Sequence, residues 1–167
     1  QRSLELIMLE KGDQYSFIPL VIDRIKAIQG SEKSKKILIR YNNRQKCELL
    51  AALLEKHHGV KTMIVHSKNK NDESVQELFT DQLIPKNIDV IFCTSIMDEA
   101  ININNLKDEL DSVFIVGKDA HPEELVQFMG RLRKASVPCF MVIHTQMSTD
   151  HHIRLDTLRT TYMNKNK

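Results

Sequence analysis

Residues 36–66, KILIRYNNRQKCELLAALLEKHHGVKTMIVH, carry the clearest indication of the fold class. Residues 36–41 form a short apolar run with β-branched side chains, which predicts a strand. Residues 44–58 carry leucines at helical spacing, and Gly59 follows where a helix would end. Residues 61–66 repeat the strand pattern. A strand, a helix and a second strand in this order indicate a crossover connection between parallel strands.

The same alternation continues on both sides of this stretch. Upstream, apolar residues at helical spacing predict a helix over residues 15–29. Downstream, the pattern predicts helices over 74–83, 121–130 and 148–163, and strands over 88–94, 112–117 and 137–145. Strands that alternate with helices form a parallel sheet with helices on both faces. We therefore predict an α/β domain of three layers with a mainly parallel central sheet.

Length and charge restrict the class of protein only loosely. The 167 residues fit one domain, or one lobe of a larger protein. The first residue is glutamine rather than methionine, and we expect a fragment of a longer chain. A formal net charge of +2 neither requires nor excludes nucleic-acid binding, because local patches matter more than the total.

Cysteine usage and hydropathy indicate the compartment. Cys47, Cys93 and Cys139 are far apart, and each sits in an apolar run, so we predict buried free thiols. We therefore expect a reducing, intracellular location, whether cytoplasm, nucleoid or nucleus. No stretch approaches the ~20 apolar residues of a membrane span, and we expect no membrane partner.

Several chemical motifs are missing from the sequence. The Gly117-Lys118 pair is followed by Asp119 and is not preceded by a glycine at the P-loop spacing. There is no GxGxxG turn either, which disfavours a self-contained nucleotide hydrolase or a nicotinamide enzyme. Two adjacent histidine pairs, at 57–58 and 151–152, are poor chelates because neighbouring residues on a helix point in different directions. We therefore predict no metal site in this chain.

Polar residues follow the carboxyl ends of the predicted strands, where ligands bind in parallel α/β sheets. They carry hydroxyl, amide, imidazole or cationic groups: Asn42, Asn43, Arg44, His66, Ser67, Lys68, Thr94, Ser95 and Lys118. Groups of this kind bind phosphates but do not break bonds by themselves. The alternative for each residue is an ordinary strand-end cap or turn.

A second group of cations lies in HPEELVQFMGRLRK, residues 121–134. The predicted helix ends near Gly130, and Arg131, Arg133 and Lys134 follow it. One interpretation is a helix C-terminus, where cations favour the negative end of the dipole and glycine ends the helix. The other is a clamp for a phosphate chain. The residues alone leave both interpretations open.

Four motifs in order connect the chain to a known family. KILIRYNNR resembles helicase motif IV, KTMIVHS the strand that follows it, DVIFCTSIMDEAININ motif V, and QFMGRLRK motif VI. Over about residues 15–146 the chain resembles the C-terminal RecA-like lobe of superfamily-two helicases of the DEAD/DEAH type. It departs from the family at Ala100, where motif V has glycine, at Asn102, where aspartate is usual, and at Lys134, where motif VI has arginine.

The resemblance implies the second motor lobe of an ATP-dependent nucleic-acid helicase or translocase. Arg131 and Arg133 would be arginine fingers that reach the γ-phosphate of ATP, with Lys134 as the alternative second cation. Gln127, Asn102 and Lys134 would contact the nucleotide. The phosphate loop and the Mg²⁺ ligands would lie on the N-terminal lobe of the same parent chain, which is the expected partner. We therefore expect the isolated lobe to hydrolyse no ATP.

The resemblance also implies a nucleic-acid face at the strand ends, formed by Asn42, Arg44, His66, Ser67, Thr94 and Ser95. Hydroxyl and main-chain N–H groups there can hold successive phosphates without reading bases. Binding of that kind is independent of sequence and sensitive to salt. We expect DNA rather than RNA as the nucleic-acid partner.

The resemblance divides the chain into three parts and leaves two rival interpretations. Residues 1–14 would enter from a preceding lobe, 15–147 would form the RecA-like lobe, and 148–167 a C-terminal helix with a frayed tail. In one rival, suggested by Ala100 and the altered end of motif VI, a degenerate helicase-like lobe serves as a non-catalytic module that binds nucleic acid or protein. In the other, an unrelated doubly wound domain shares the fold but not the function.

Overall fold

A computed structural model of the chain describes residues 3–9, 15–32, 34–96, 102–105, 109–116, 128, 130–131 and 137–144, with the backbone alone for 3–9, 143 and 144. In chain order, these residues form β1 (Ser3–Leu9), α1 (Ile18–Gln29), β2 (Lys36–Tyr41), α2 (Arg44–His58), β3 (Thr62–Val65), α3 (Glu73–Asp81), β4 (Val90–Cys93), β5 (Leu110–Val116) and β6 (Pro138–His144). The strands pair in parallel in the sheet order β1-β6-β5-β2-β4-β3. The predicted α/β architecture with a parallel central sheet is confirmed.

Helices cover both faces of the sheet because the residues of each strand point alternately to its two sides. On one face, Leu38 of β2 packs in a core with Val75 and Leu78 of α3. On the other face, Ile37 and Ile39 pack with apolar residues of α1 and α2. The strands β2, β4 and β5 are buried along their whole length, which explains their nearly continuous apolar runs. The arrangement has the three layers that the sequence predicted.

Local signals set both ends of α2. The backbone of Asn43 is extended, and its side-chain oxygen accepts a hydrogen bond from the N–H of Lys46 at 3.0 Å, as an N-cap residue does. The helix runs over Arg44–His58, as predicted, and ends at Gly59. The φ of Gly59 is 66°, in the left-handed region that glycine adopts without strain. The first turn of α2 therefore lies directly after the carboxyl end of β2.

The ends of the chain differ from the prediction in two respects. The helix α1 begins at Ile18 rather than Tyr15, because residues 15–17 form a turn before Pro19. Residues 3–9 form a full strand that pairs with β6, whereas the sequence predicted only a segment that enters from a preceding lobe. The proposed boundary after residue 14 stays a prediction.

Two predicted helices fall largely outside the description. The helix over residues 121–130 is described only at Phe128 and Gly130, which are both helical. The closing helix over 148–163 lies outside the described residues. Both helices stay predictions.

Two charged side chains tie the layers together. Arg24 of α1 donates from Nε and Nη2 to the carboxylate of Asp111 in β5, which makes a bidentate ion pair. Lys36 of β2 is buried, and its ammonium donates to the main-chain oxygens of Lys86 and Ile88 at 3.0 and 2.6 Å. Both contacts bridge segments far apart in sequence and fix the start of β5 and of β2.

The cysteine prediction is confirmed, since Cys47, Cys93 and Cys139 are reduced and buried. Burial raises the pKa of the Cys47 thiol to about 12, and its sulfur donates to the carbonyl of Tyr41 at 3.2 Å. This thiol carries almost no thiolate at neutral pH and is therefore structural. Among the described helices, none is both long and apolar enough to cross a membrane.

Candidate functional site

The carboxyl ends of β2, β4 and β3 lie side by side because these three strands are neighbours in the sheet. The predicted nucleic-acid residues follow these ends directly. Asn42 and Arg44 come after β2, Thr94 and Ser95 after β4, and His66 and Ser67 after β3. The structure therefore brings all six residues to one edge of the sheet, here called the strand-end edge.

Asn42 connects two of these strand ends. Its side-chain oxygen accepts a hydrogen bond from the main-chain N–H of Ser95 at 3.2 Å, which spans 53 residues of sequence. Its neighbour Asn43 caps α2 instead. The two asparagines thus have separate roles that the sequence did not distinguish, since both follow β2 and both are typical of turns.

Thr94 and Ser95 continue from β4 at the centre of the strand-end edge. The N–H of Thr94 donates to the carbonyl of Val65 at 3.0 Å, so the contact between β4 and β3 extends to this residue. Thr94 is buried with 8% of its surface exposed, whereas Ser95 is half-buried. Thr94 is therefore held by the sheet itself, and the main chain of Ser95 is held by the side chain of Asn42.

A tight turn fixes the orientation of His66. Its main-chain N–H donates to the side-chain oxygen of Asn69 at 2.9 Å, and its ring nitrogen Nδ1 accepts from the N–H of Lys68 at 3.1 Å. The amide nitrogen of Asn69 in turn donates to the carbonyl of Ile64 at 2.6 Å. Since Nδ1 is an acceptor, the neutral imidazole carries its proton on Nε2 and can donate a hydrogen bond from there.

Burial lowers the pKa of His66, and the positive charge of Arg44 lowers it further. The charges of Glu48 and Asp72 act in the opposite direction, and that of Lys68 adds to the lowering. The net effect favours the neutral imidazole at physiological pH. His66 can therefore donate to a phosphate oxygen without carrying a charge.

Arg44 supplies an accessible cation at this edge. Its Nε donates to Glu48 at 2.9 Å across one turn of α2, and both side chains are nearly half exposed. An ion pair this exposed is worth only about 0.3–0.5 kcal/mol. The guanidinium can therefore exchange Glu48 for a phosphate group at little cost.

The structure also brings together two residues of the predicted nucleotide set. Nη1 of Arg131 donates to the side-chain oxygen of Asn102 at 3.3 Å, across 29 residues of sequence. Two main-chain hydrogen bonds support this pair. Ile103 donates to the carbonyl of Arg131 at 2.7 Å, and Arg131 donates to that of Phe128 at 3.0 Å. Both members of the pair are half-buried, so neither is sealed inside the core.

The remaining residues of that set are not described. Gln127, Arg133 and Lys134 lie outside the residues that the structure describes. The choice between Arg133 and Lys134 as the second cation therefore stays a prediction. Among the described residues, no group of three or more His, Cys, Asp or Glu side chains is arranged to hold a metal ion.

Sequence reasoning missed three asparagines that shape the site. Asn69 lies in the stretch 67–74, which reads as a solvated loop, yet its side chain organises the turn at His66. Asn104 and Asn105 hold the segment after β4 against the end of α3. An asparagine in a turn was a usable signal for Asn69. For Asn104 and Asn105 the partners are distant in sequence, so no local pattern indicates them.

Comparison with solved structures adds to this geometry. Domain 2 of the Mss116p DEAD-box helicase, bound to an RNA duplex, matches with a TM-score of 0.65 and 12% identity over 86% of this chain and 55% of that one. The yeast DEAD-box splicing factor Prp28 matches with a TM-score of 0.64 and 14% identity, over 98% of this chain and 34% of that one. The E. coli DEAD-box protein SrmB, bound to regulator of ribonuclease activity A, matches with a TM-score of 0.58 and 13% identity. This match covers 95% of this chain and 85% of that one. Identities this low support the fold alone.

The chain spans about half of the Mss116p structure that it matches, at 55%. Two further comparisons use the sequence alone. No curated protein sequence matches it. The model of the helicase conserved C-terminal domain matches residues 20–136, which is most of the chain and includes the strand-end edge and the Asn102–Arg131 pair. The chain therefore belongs to the helicase conserved C-terminal domain family and has the fold of the second RecA-like lobe of superfamily-two helicases.

Proposed function

We propose that the chain is the second motor lobe of an ATP-dependent nucleic-acid helicase or translocase. The observation that carries this proposal is the contact between Arg131 and Asn102 at 3.3 Å, which holds a half-buried guanidinium at a defined place beside the segment after β4. An orientated cation of this kind is what a shared nucleotide site requires from its second lobe.

The guanidinium of Arg131 would act on the γ-phosphate of ATP. Its planar array of donors suits the negative charge that develops on phosphoryl oxygens, and its charge does not depend on pH. Asn102 accepts a hydrogen bond from one nitrogen of this array, Nη1, at 3.3 Å. Fingers of this kind are worth roughly 10³–10⁵ in rate in related nucleotide hydrolases. The rate of ATP hydrolysis would therefore depend on Arg131 far more than the affinity for ATP does.

ATP with Mg²⁺ fits the described residues only in part. Arg131 and Asn102 supply a cation and an amide, which suit a phosphate chain and a ribose or base edge. The phosphate loop and the metal carboxylates would come from the N-terminal lobe. When bound there, Mg²⁺ would neutralise charge on the β- and γ-phosphates. The isolated chain would then hydrolyse no ATP.

The strand-end edge would hold the nucleic-acid backbone. Thr94, Ser95 and His66 supply donors that the sheet and the turn at Asn69 keep in place, and Arg44 supplies an exposed charge. Contacts to phosphates fix position without reading sequence. Our preference for DNA gains no support from the comparisons. The Mss116p domain is described as bound to an RNA duplex, so RNA is the first substrate to test.

Work would come from changes in the distance between the two lobes. ATP would draw the lobes together by contacting both, and the loss of its γ-phosphate would release them. This lobe would contact the nucleic acid through the strand-end edge and the nucleotide through the adjoining segment. Closure of the two lobes would therefore also change how tightly this lobe binds the nucleic-acid backbone.

The rival function is a non-catalytic binding module, which Ala100 favours because motif V usually has glycine there. ATP hydrolysis by the full-length protein, with and without single-stranded and duplex RNA and DNA, distinguishes the two. The motor predicts hydrolysis that nucleic acid stimulates. A folded protein that binds nucleic acid but hydrolyses no ATP under any of these conditions would contradict the motor and support the module.

A further inference from the structure

The helix α3 ends in an unusual conformation. Gln82 follows it with φ 58° and ψ 29°, in the left-handed region, and it is the non-glycine residue with positive φ among those described. A residue with a Cβ is strained in this region. Glycine or asparagine is the usual choice at such a helix end. The contacts of Gln82 must therefore offset this cost.

Those contacts are made with Asn104. The main-chain carbonyl of Gln82 accepts the N–H of Asn104 at 2.7 Å, and its side-chain oxygen accepts the amide of the same residue at 2.7 Å. Two residues further along, the N–H of Ile84 donates to the side chain of the buried Asn105 at 2.9 Å. These three hydrogen bonds, here called the clasp, hold residues 104–105 against the end of α3.

The clasp lies next to the Asn102–Arg131 pair in sequence and in space. Asn102 accepts from the Arg131 guanidinium, and the next residue, the fully buried Ile103, donates to the Arg131 carbonyl. The segment 102–105 thus contacts Arg131 with its first half and α3 with its second half. A segment this short transmits a displacement at one end directly to the other.

We infer that Gln82 and Asn104 are positioning residues for Arg131. They fix the segment 102–105 on α3 and so set the place of the guanidinium that would reach the phosphate. This inference rests on the proposed function, because it concerns how well Arg131 acts on ATP. Neither residue would touch the nucleotide. A displacement of about 1 Å can lower the rate of a reaction roughly 10²-fold. The clasp should therefore affect the turnover of ATP rather than its binding.

The test separates positioning from folding. In the full-length protein, Gln82→Gly removes the side-chain hydrogen bond and also the backbone strain, so its Tm should stay close to that of the wild type. We expect its nucleic-acid-stimulated kcat to fall roughly 10- to 100-fold, with the KM for ATP changed about twofold or less. Gln82→Glu keeps an acceptor for the Asn104 amide and should restore most of kcat. Gln29→Leu, which removes a similar contact at the end of α1, should leave kcat unchanged.

An Arg131→Ala background gives the second readout. If the clasp acts through Arg131, Gln82→Gly should lower hydrolysis no further in that background. An unchanged kcat in Gln82→Gly, or an additional fall in the Arg131→Ala background, would overturn the inference while the proposed function stands. Hydrolysis that is unaffected by Arg131→Ala would instead overturn the proposed function, and the inference with it.

Discussion

His66 shows how one buried side chain at the strand-end edge ties stability to pH. Burial, followed by the charge of Arg44, lowers its pKa below the ordinary value of 6.5. Above pH 6.5 the imidazole is neutral in the folded and the unfolded chain, so its surroundings do not lower the free energy of unfolding. As the pH falls below 6.5, the unfolded chain takes up a proton that the folded chain does not. Stability is therefore lost progressively until the pH has passed the folded pKa.

We predict that the free energy of unfolding of the 167-residue chain decreases between pH 7.5 and pH 5.5, and that His66→Gln removes part of this decrease. Urea titrations at several pH values measure both quantities. Gln29→Leu is the control, because Gln29 is exposed and has no titratable side chain, so this change should leave the decrease as it is in the wild type. A His66→Gln chain with the same pH dependence as the wild type would contradict this account of the site.

At the scale of elements, α2 depends on a single capping side chain. Asn43 satisfies the N–H of Lys46, and the helix begins immediately beside Asn42 of the strand-end edge. We predict that Asn43→Ala lowers the free energy of unfolding by about 1 kcal/mol, since the N-cap acceptor is lost. Asn43→Asp keeps an acceptor and should lower the free energy of unfolding by only a small part of that amount. Chemical denaturation measures both variants, and equal losses in the two would argue against the cap.

Elements were predictable where the signal is local. The bounds of α2 and β2 follow from apolar spacing and from Gly59, and the structure has them at the predicted residues. The strand β1 was not recognised as part of the sheet, because its partner β6 lies more than a hundred residues away. The turn before α1 was missed because apolar spacing continues through it.

The candidate site was predictable to a similar extent. The edge of the sheet followed from the rule for parallel strands, so Asn42, His66 and Thr94 were found from their positions alone. The Asn102–Arg131 pair came from the resemblance, and the structure brings the two side chains together. The clasp at Gln82 was not predictable, since it depends on how α3 packs against a segment 22 residues away.

At the scale of the whole molecule, the sheet and its two cores close over all three cysteines. We predict that Cys47, Cys93 and Cys139 resist alkylation in the native protein at pH 7.5 and react fully after unfolding. Access is blocked for all three, and the raised pKa of Cys47 also leaves little thiolate. Mass spectrometry of peptides after iodoacetamide treatment measures each thiol separately. Rapid labelling of any of them in the native state would contradict a closed core.

We propose above all that this lobe completes a nucleotide site through Arg131. The most direct measurement is single-turnover hydrolysis of saturating ATP by the full-length protein with nucleic acid bound, in Arg131→Ala and Arg131→Lys beside the wild type. We predict a rate lowered by roughly 10³-fold or more in Arg131→Ala and little rescue by lysine, with the Kd for ATP nearly unchanged. Hydrolysis at the wild-type rate in Arg131→Ala would contradict it.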